Sequence, residues 1–131
     1  MDKKKIINIL NEINFDINEF YVLGSASLVL RDILTSANDI DLCLSKYEFD
    51  KLSKIYDIKY LGESHNTQWY QLNDIIEFCV DDFVDYKIEV AKPFNLIDLD
   101  YLLYYFYFEE NYYLNYYLNY YCLGNYYLYY Y

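Results

Sequence analysis

The sequence predicts a single α/β domain, a short mixed β-sheet flanked by helices. Three observations lead there. Its 131 residues leave room for one core and not two. Short apolar runs of strand length alternate with segments whose apolar residues recur at helical spacing. From Tyr101 the composition changes abruptly, so residues 1–100 read as the domain and 101–131 as a segment of another character.

Between Lys4 and Ile13, the residues Ile6, Ile9, Leu10 and Ile13 share one helical face and predict an amphipathic first helix. Asn14 to Asn18 is polar and turn-like. Phe20 to Leu23 is the first strand, ending at Gly24-Ser25. Ala26 to Leu34 reads as a helix through Leu28, Leu30 and Leu34, with Arg31 and Asp32 towards its polar side. Thr35-Ser36-Ala37 breaks it, and Asn38 to Leu44 forms the second strand. Helical spacing returns from Tyr47 to Tyr56 through Phe49, Leu52 and Ile55. Tyr60-Leu61-Gly62 and Thr67 to Leu72 are short strands, followed by a turn at Asn73-Asp74. Ile75 to Val80 is a strand with Ile75, Glu77 and Cys79 on one face, closed by Asp81-Asp82. A further strand is expected from Tyr86 to Val90. Lys92-Pro93 punctuates, and Leu96 opens a last helix.

The chemistry concentrates after the first and in the second of these strands. Alternation places Asp39 and Asp41 on one face, with Ile40 and Leu42 turned to the core. Neighbouring carboxylates repel and lose hydration, which is costly without a cation between them. A hard divalent ion such as Mg²⁺ takes one or two carboxylates plus substrate phosphates and suits such a pair. Gly24 lets backbone pass close to a ligand, and Ser25 adds a hydroxyl and an N–H where a helix starts.

Gly-Ser, a helix, and then Asp-x-Asp on a strand resembles the nucleotidyltransferase superfamily that includes DNA polymerase beta and the minimal nucleotidyltransferases. The stretch from Tyr21 to Ser45, YVLGSASLVLRDILTSANDIDLCLS, is similar to small bacterial and phage nucleotidyltransferase-like proteins related to abortive-infection toxins. The resemblance covers residues 20 to 100 and implies a nucleotidyltransferase-like fold. It further implies Mg²⁺-dependent transfer of a nucleoside monophosphate from an NTP, ATP first among them, to an acceptor. That acceptor is a protein hydroxyl, a tRNA end or a small molecule. Gly24 and Ser25 would hold the triphosphate, and Asp39 and Asp41 would bind the metal. The family also uses a third carboxylate on a later strand, to help with the metal or take the acceptor's proton. Glu77 is the choice here, because a glutamate inside an apolar run needs a partner or a cation. Asp74, Asp81 and Glu89 compete with it, and the wet face of an edge strand would explain it equally.

Other residues carry two readings each. Arg31, the chain's one arginine, can reach a triphosphate with its bidentate fork or pair with a neighbouring acid. His65 sits in a polar loop, as a solvated side chain or a general base. Trp69 and Tyr70 either stack on a base or pack on the sheet. The rival to a transferase is a catalytically inactive relative, serving as a toxin–antitoxin partner or a nucleotide-sensing module. A small α/β interaction protein whose acids are only solvated is the third reading.

A net charge of −11 and a pI near 4.3 repel nucleic-acid backbones, which argues against non-specific binding of DNA or RNA. Lys3-Lys4-Lys5, the one basic cluster, reads as a solvated helix start. Three widely spaced cysteines, Cys43, Cys79 and Cys122, indicate neither a disulfide framework nor a zinc site. No signal peptide is expected, because Met1-Asp2-Lys3-Lys4-Lys5 leads into an amphipathic pattern, and no run reads as a membrane span. A reducing cytoplasm fits best.

Fifteen of the 21 tyrosines fall in the last 31 residues, and no lysine or arginine follows Lys92. Tyr112 to Asn119 is Tyr-Tyr-Leu-Asn twice over, a low-complexity repeat. The helix begun near Leu96 is expected to be genuine. The Tyr-rich remainder reads as a degenerate or frame-shifted end, since Tyr, Asn and Leu all have codons made only of A and T. The alternative is an apolar surface that packs on a partner or a membrane interface.

Overall fold

A computed structural model describes residues 1–64, 66–81 and 87–103. His65, Asp82, Tyr86, Cys122 and the Tyr-rich stretch from residue 104 lie outside the described residues, so the expectations attached to them stand as stated.

Helix α1 (Lys3–Ile13) starts where the Asp2 carboxylate accepts the Lys5 N–H at 2.9 Å, and it stops at Asn14 in the left-handed region. Its Ile6 and Leu10 are fully buried. Strand β1 (Phe20–Val22) leads through Leu23 into α2 (Gly24–Leu30). The helix expected over Ala26 to Leu34 is therefore earlier and shorter. It ends because Asp32 adopts a left-handed φ of 62°, and the Asp32 and Ile33 N–H groups turn back to the Val29 and Leu28 carbonyls. Strand β2 is Ile40–Leu44 rather than Asn38 to Leu44, and α3 is Lys46–Ser53. Ser45 caps α3, its side chain accepting the Glu48 N–H.

Strands β3 (Lys59–Ser64) and β4 (Thr67–Gln71) form a hairpin. β4 turns into β5 (Ile76–Val80) at Asn73, whose side-chain oxygen accepts the N–H groups of Ile75 and Ile76. Strands β6 (Ile88–Glu89) and β7 (Leu96–Ile97) complete the sheet. Leu96 thus belongs to a strand and not to a helix. The last helix begins at residue 99 instead, where Asp98 accepts the Tyr101 N–H on its carboxylate and the Leu102 N–H on its carbonyl.

The seven strands among the described residues lie in the order β3-β4-β5-β2-β1-β7-β6. β2 runs parallel to β5, β1 parallel to β7, and the other pairings are antiparallel, so the sheet is mixed. Alternation gives it two unlike faces. Phe20 and Val22, Ile40, Leu42 and Leu44, and Ile76 and Phe78 are buried in one core with Ile6, Leu10, Leu28 and Leu52 of the helices. Phe49 of α3 packs on Tyr70 and Phe78 at ring separations of 4.7 and 5.9 Å, which fixes α3 to that same face. The opposite face holds the intervening residues of the central strands. Among the described residues no helix is long and apolar enough to cross a membrane.

Candidate functional site

The face not covered by α3 carries a cavity of about 550 Å³. Its floor is the alternate set of side chains from the central strands: Tyr21, Asp41, Cys43, Trp69, Glu77 and Cys79. Parallel pairing of β2 with β5 sets Asp41 directly beside Glu77, and Cys43 directly beside Cys79. Tyr101 and Leu102 of the last helix line the cavity as well, as do Leu61 to Ser64 of β3.

Gly24 meets Asp41 at the start of α2. It has φ +55°, and a Cβ placed on it would stand 3.3 Å from Asp41 Oδ2. Only glycine takes this backbone without strain, and only glycine leaves that space open. The strand-to-helix junction is held by the Leu23 N–H, which donates to the Asp41 carbonyl at 2.8 Å, and by the buried Ser27 hydroxyl, which donates to the Gly24 carbonyl at 2.7 Å. The cavity floor and the glycine turn are thereby one rigid unit.

No protein-family model, curated protein or solved structure matches the chain.

Burial pushes the Asp41 carboxyl up to about 7, with the charges of Asp39 and then Glu77 adding to the effect. Three acids therefore act on one another at this spot. Farther along the floor, the neighbouring Cys79 and then Tyr21 lower the pKa of Cys43 against the opposing effect of burial. Cys79 and Tyr21 are themselves pushed up, Cys79 chiefly by Cys43 and Tyr21 chiefly by burial. Asp81 and Glu63 add two more acids to the lining, against the single lysine Lys87, which lies 3.7 Å from Asp81.

Of the residues singled out from the sequence, Gly24, Asp41 and Glu77 come together at the cavity. Asp39 does not share a strand with Asp41. It is exposed at the bend just before β2, because the ladder begins with the Ile40 N–H on the Ile75 carbonyl. Ser25 is half-buried and does not line the cavity. Arg31 does not line the cavity: its Nη2 donates to Glu89 at 2.8 Å and to the Ile97 carbonyl at 2.5 Å, and its buried Nη1 has no hydrogen-bond partner among the described residues. Trp69 lines the cavity, whereas Tyr70 faces the α3 side, stacked on Phe78. Of the rival third carboxylates, Asp74 is exposed in a turn, Glu89 pairs with Arg31, and Asp81 lines the cavity.

The residues not anticipated as site residues are Tyr21, Cys43 and Cys79. A signal was present: Asp41-x-Cys43 and Glu77-x-Cys79 are the same acid-x-Cys pattern in two strands. What the sequence lacks is the parallel register that lays one on the other.

Among the described residues no three His, Cys, Asp or Glu side chains are gathered closely enough to share a metal ion. A magnesium ion needs fewer from the protein, since phosphate oxygens and water supply the rest. Asp41, with Asp39 close enough for its charge to raise the Asp41 pKa, would be a donor set of that kind. The Cβ position that Gly24 leaves vacant lies 3.3 Å from Asp41 Oδ2.

Proposed function

We propose that the protein is a Mg²⁺-dependent nucleotidyltransferase of the polymerase-beta-like fold, moving a nucleoside monophosphate from an NTP such as ATP to an acceptor. The observation that carries this reading is the contact of Gly24 with Asp41. A glycine with a left-handed φ opens a helix against a half-buried carboxylate that is short of a counter-charge. The glycine–helix–acid order that the sequence suggests is thus a close contact in space.

In this reading Asp39 and Asp41 hold Mg²⁺, which when bound neutralises charge on the transferring phosphoryl group. Gly24 and Ser25 lie along the triphosphate, Gly24 by leaving its Cβ volume free. Glu77, one strand over and level with Asp41, accepts the acceptor's proton or supports the metal site. Asp41 needs a cation to stay fully ionised at neutral pH. Trp69 offers a flat apolar wall for a nucleobase. Arg31 gives its Nη2 to Glu89 and the Ile97 carbonyl, while its buried Nη1 has no hydrogen-bond partner among the described residues and is the atom that would reach the triphosphate. The acidic lining makes the metal obligatory, since four carboxylates would otherwise repel a triphosphate.

A second reading, an inactive relative that acts as a toxin–antitoxin partner or nucleotide sensor, draws support from Arg31 and Ser25 lying off the cavity. Incubation with labelled ATP, GTP, CTP and UTP, Mg²⁺ and cell extract separates the two. The transferase reading expects a labelled product with wild type and none with Asp41→Asn. Absence of product with all four nucleotides, alongside Mg²⁺-dependent nucleotide binding, would favour the sensor.

A further inference from the structure

We propose that Cys43 and Cys79 are a redox-active dithiol on the cavity floor, which exchanges with small organic disulfides and closes to a disulfide between β2 and β5. The argument rests on three features of placement. First, the two residues are direct partners in the parallel register. Neighbouring strands lie about 5 Å apart, within the Cα separation of about 4.4–6.8 Å that a disulfide spans. Second, both side chains are free, buried thiols, and both line the same face of the sheet. Third, both line the cavity although they are otherwise buried, so among the described residues the cavity is the way to them.

That route selects the oxidant. A protein thiol–disulfide enzyme cannot enter a space of about 550 Å³, whereas a small disulfide can. Asp41, Glu63, Glu77 and Asp81 around the same space favour a cationic one over an anionic one. One protein thiol gives its proton to solvent and attacks a sulfur of the disulfide RSSR. The S–S bond breaks, and RS⁻ leaves and takes up a proton. The second protein thiol then loses its proton and attacks the first, expelling the other RS⁻, which is protonated in turn. In sum, two protein thiols and RSSR become one protein disulfide and two RSH, two electrons passing to the small molecule. A monothiol in either position would stop at the mixed disulfide. The inference is independent of nucleotide transfer.

The test uses the full chain carrying Cys122→Ser, folded, with cystamine as the cationic disulfide and dithiodiglycolate as the anionic one. The expected product with cystamine has lost the mass of two hydrogen atoms, and peptide mapping links Cys43 to Cys79. Dithiothreitol restores the thiols, and dithiodiglycolate reacts more slowly. Adding Cys79→Ser or Cys43→Ser should abolish the mass loss, leaving the mixed disulfide as the only product. The proposal is overturned if the folded protein stays reduced while the urea-unfolded chain oxidises. It is equally overturned if the folded protein accumulates two mixed disulfides and no link. Mapping of the parent Cys122→Ser chain decides the matter even where the added Cys43→Ser or Cys79→Ser variant fails to fold.

Discussion

The Asp41 carboxyl holds its proton up to about pH 7 in the folded, metal-free protein, whereas in the unfolded chain it ionises near 3.8. Its protonated form therefore contributes stability that is fully present below 3.8 and is lost as pH rises through about 7. Asp41→Asn removes both the charge and this dependence. In chelator-treated protein the variant should match wild type near about pH 4 and exceed it by about 1–4 kcal/mol near about pH 8. Urea melts of the two proteins at both pH values measure the difference. An equal gap at the two would mean that Asp41 is not the strained acid. The neighbouring glycine makes a second expectation. Gly24→Ala places a side chain at a left-handed φ and a methyl 3.3 Å from Asp41 Oδ2. It should cost about 1–2 kcal/mol in the same melts, and a neutral result would refute the required conformation.

Elements are held in place around the cavity by a few polar ties, among them the largely buried Arg31. It joins the end of α2 to β6 through Glu89 and to β7 through the Ile97 carbonyl. Arg31→Met should cost about 1.5–3 kcal/mol, because the carbonyl loses a charged donor. Glu89→Gln should cost less than about 1 kcal/mol, since that partner is half exposed to water. Equal losses would place the energy in the ion pair instead. At this scale the sequence was informative wherever local chemistry decides. The spacing of Ile6, Leu10 and Ile13 announced α1, and Asn73 announced the turn into β5. It was misleading where distant pairing decides. Leu96-Ile97 is too short to show strand periodicity and becomes a strand only because β1 and β6 flank it. Asp39 shares the alternation of β2 on paper, but the ladder begins one residue later. Gly24 and Asp41 were legible as candidates, whereas the Asp41–Glu77 and Cys43–Cys79 rungs arise from parallel register alone.

The whole molecule divides its mixed sheet between a face filled by the helical core and a face that keeps a polar cavity. Burial on the first side supplies the stability that the crowded acids on the second reduce. The last helix serves both: Leu102 is 2 % exposed, belongs to the core cluster and also borders the cavity. Leu102→Ala should lower stability by about 2–5 kcal/mol, measurable by urea unfolding, and a smaller loss would show the helix to be peripheral. A net charge of −11 and an acidic lining oppose any free nucleotide, so under the proposed function metal and triphosphate enter together. Thermal unfolding with Mg²⁺ alone, ATP alone and both together measures this coupling, in wild type and Asp41→Asn. The pair is expected to raise the wild-type Tm by more than the separate shifts combined, with stabilisation approaching about 2.7 kcal/mol at a hundredfold excess over Kd, and Asp41→Asn to lose this response. A shift from ATP without any divalent ion, or an undiminished response in Asp41→Asn, would refute the proposed function.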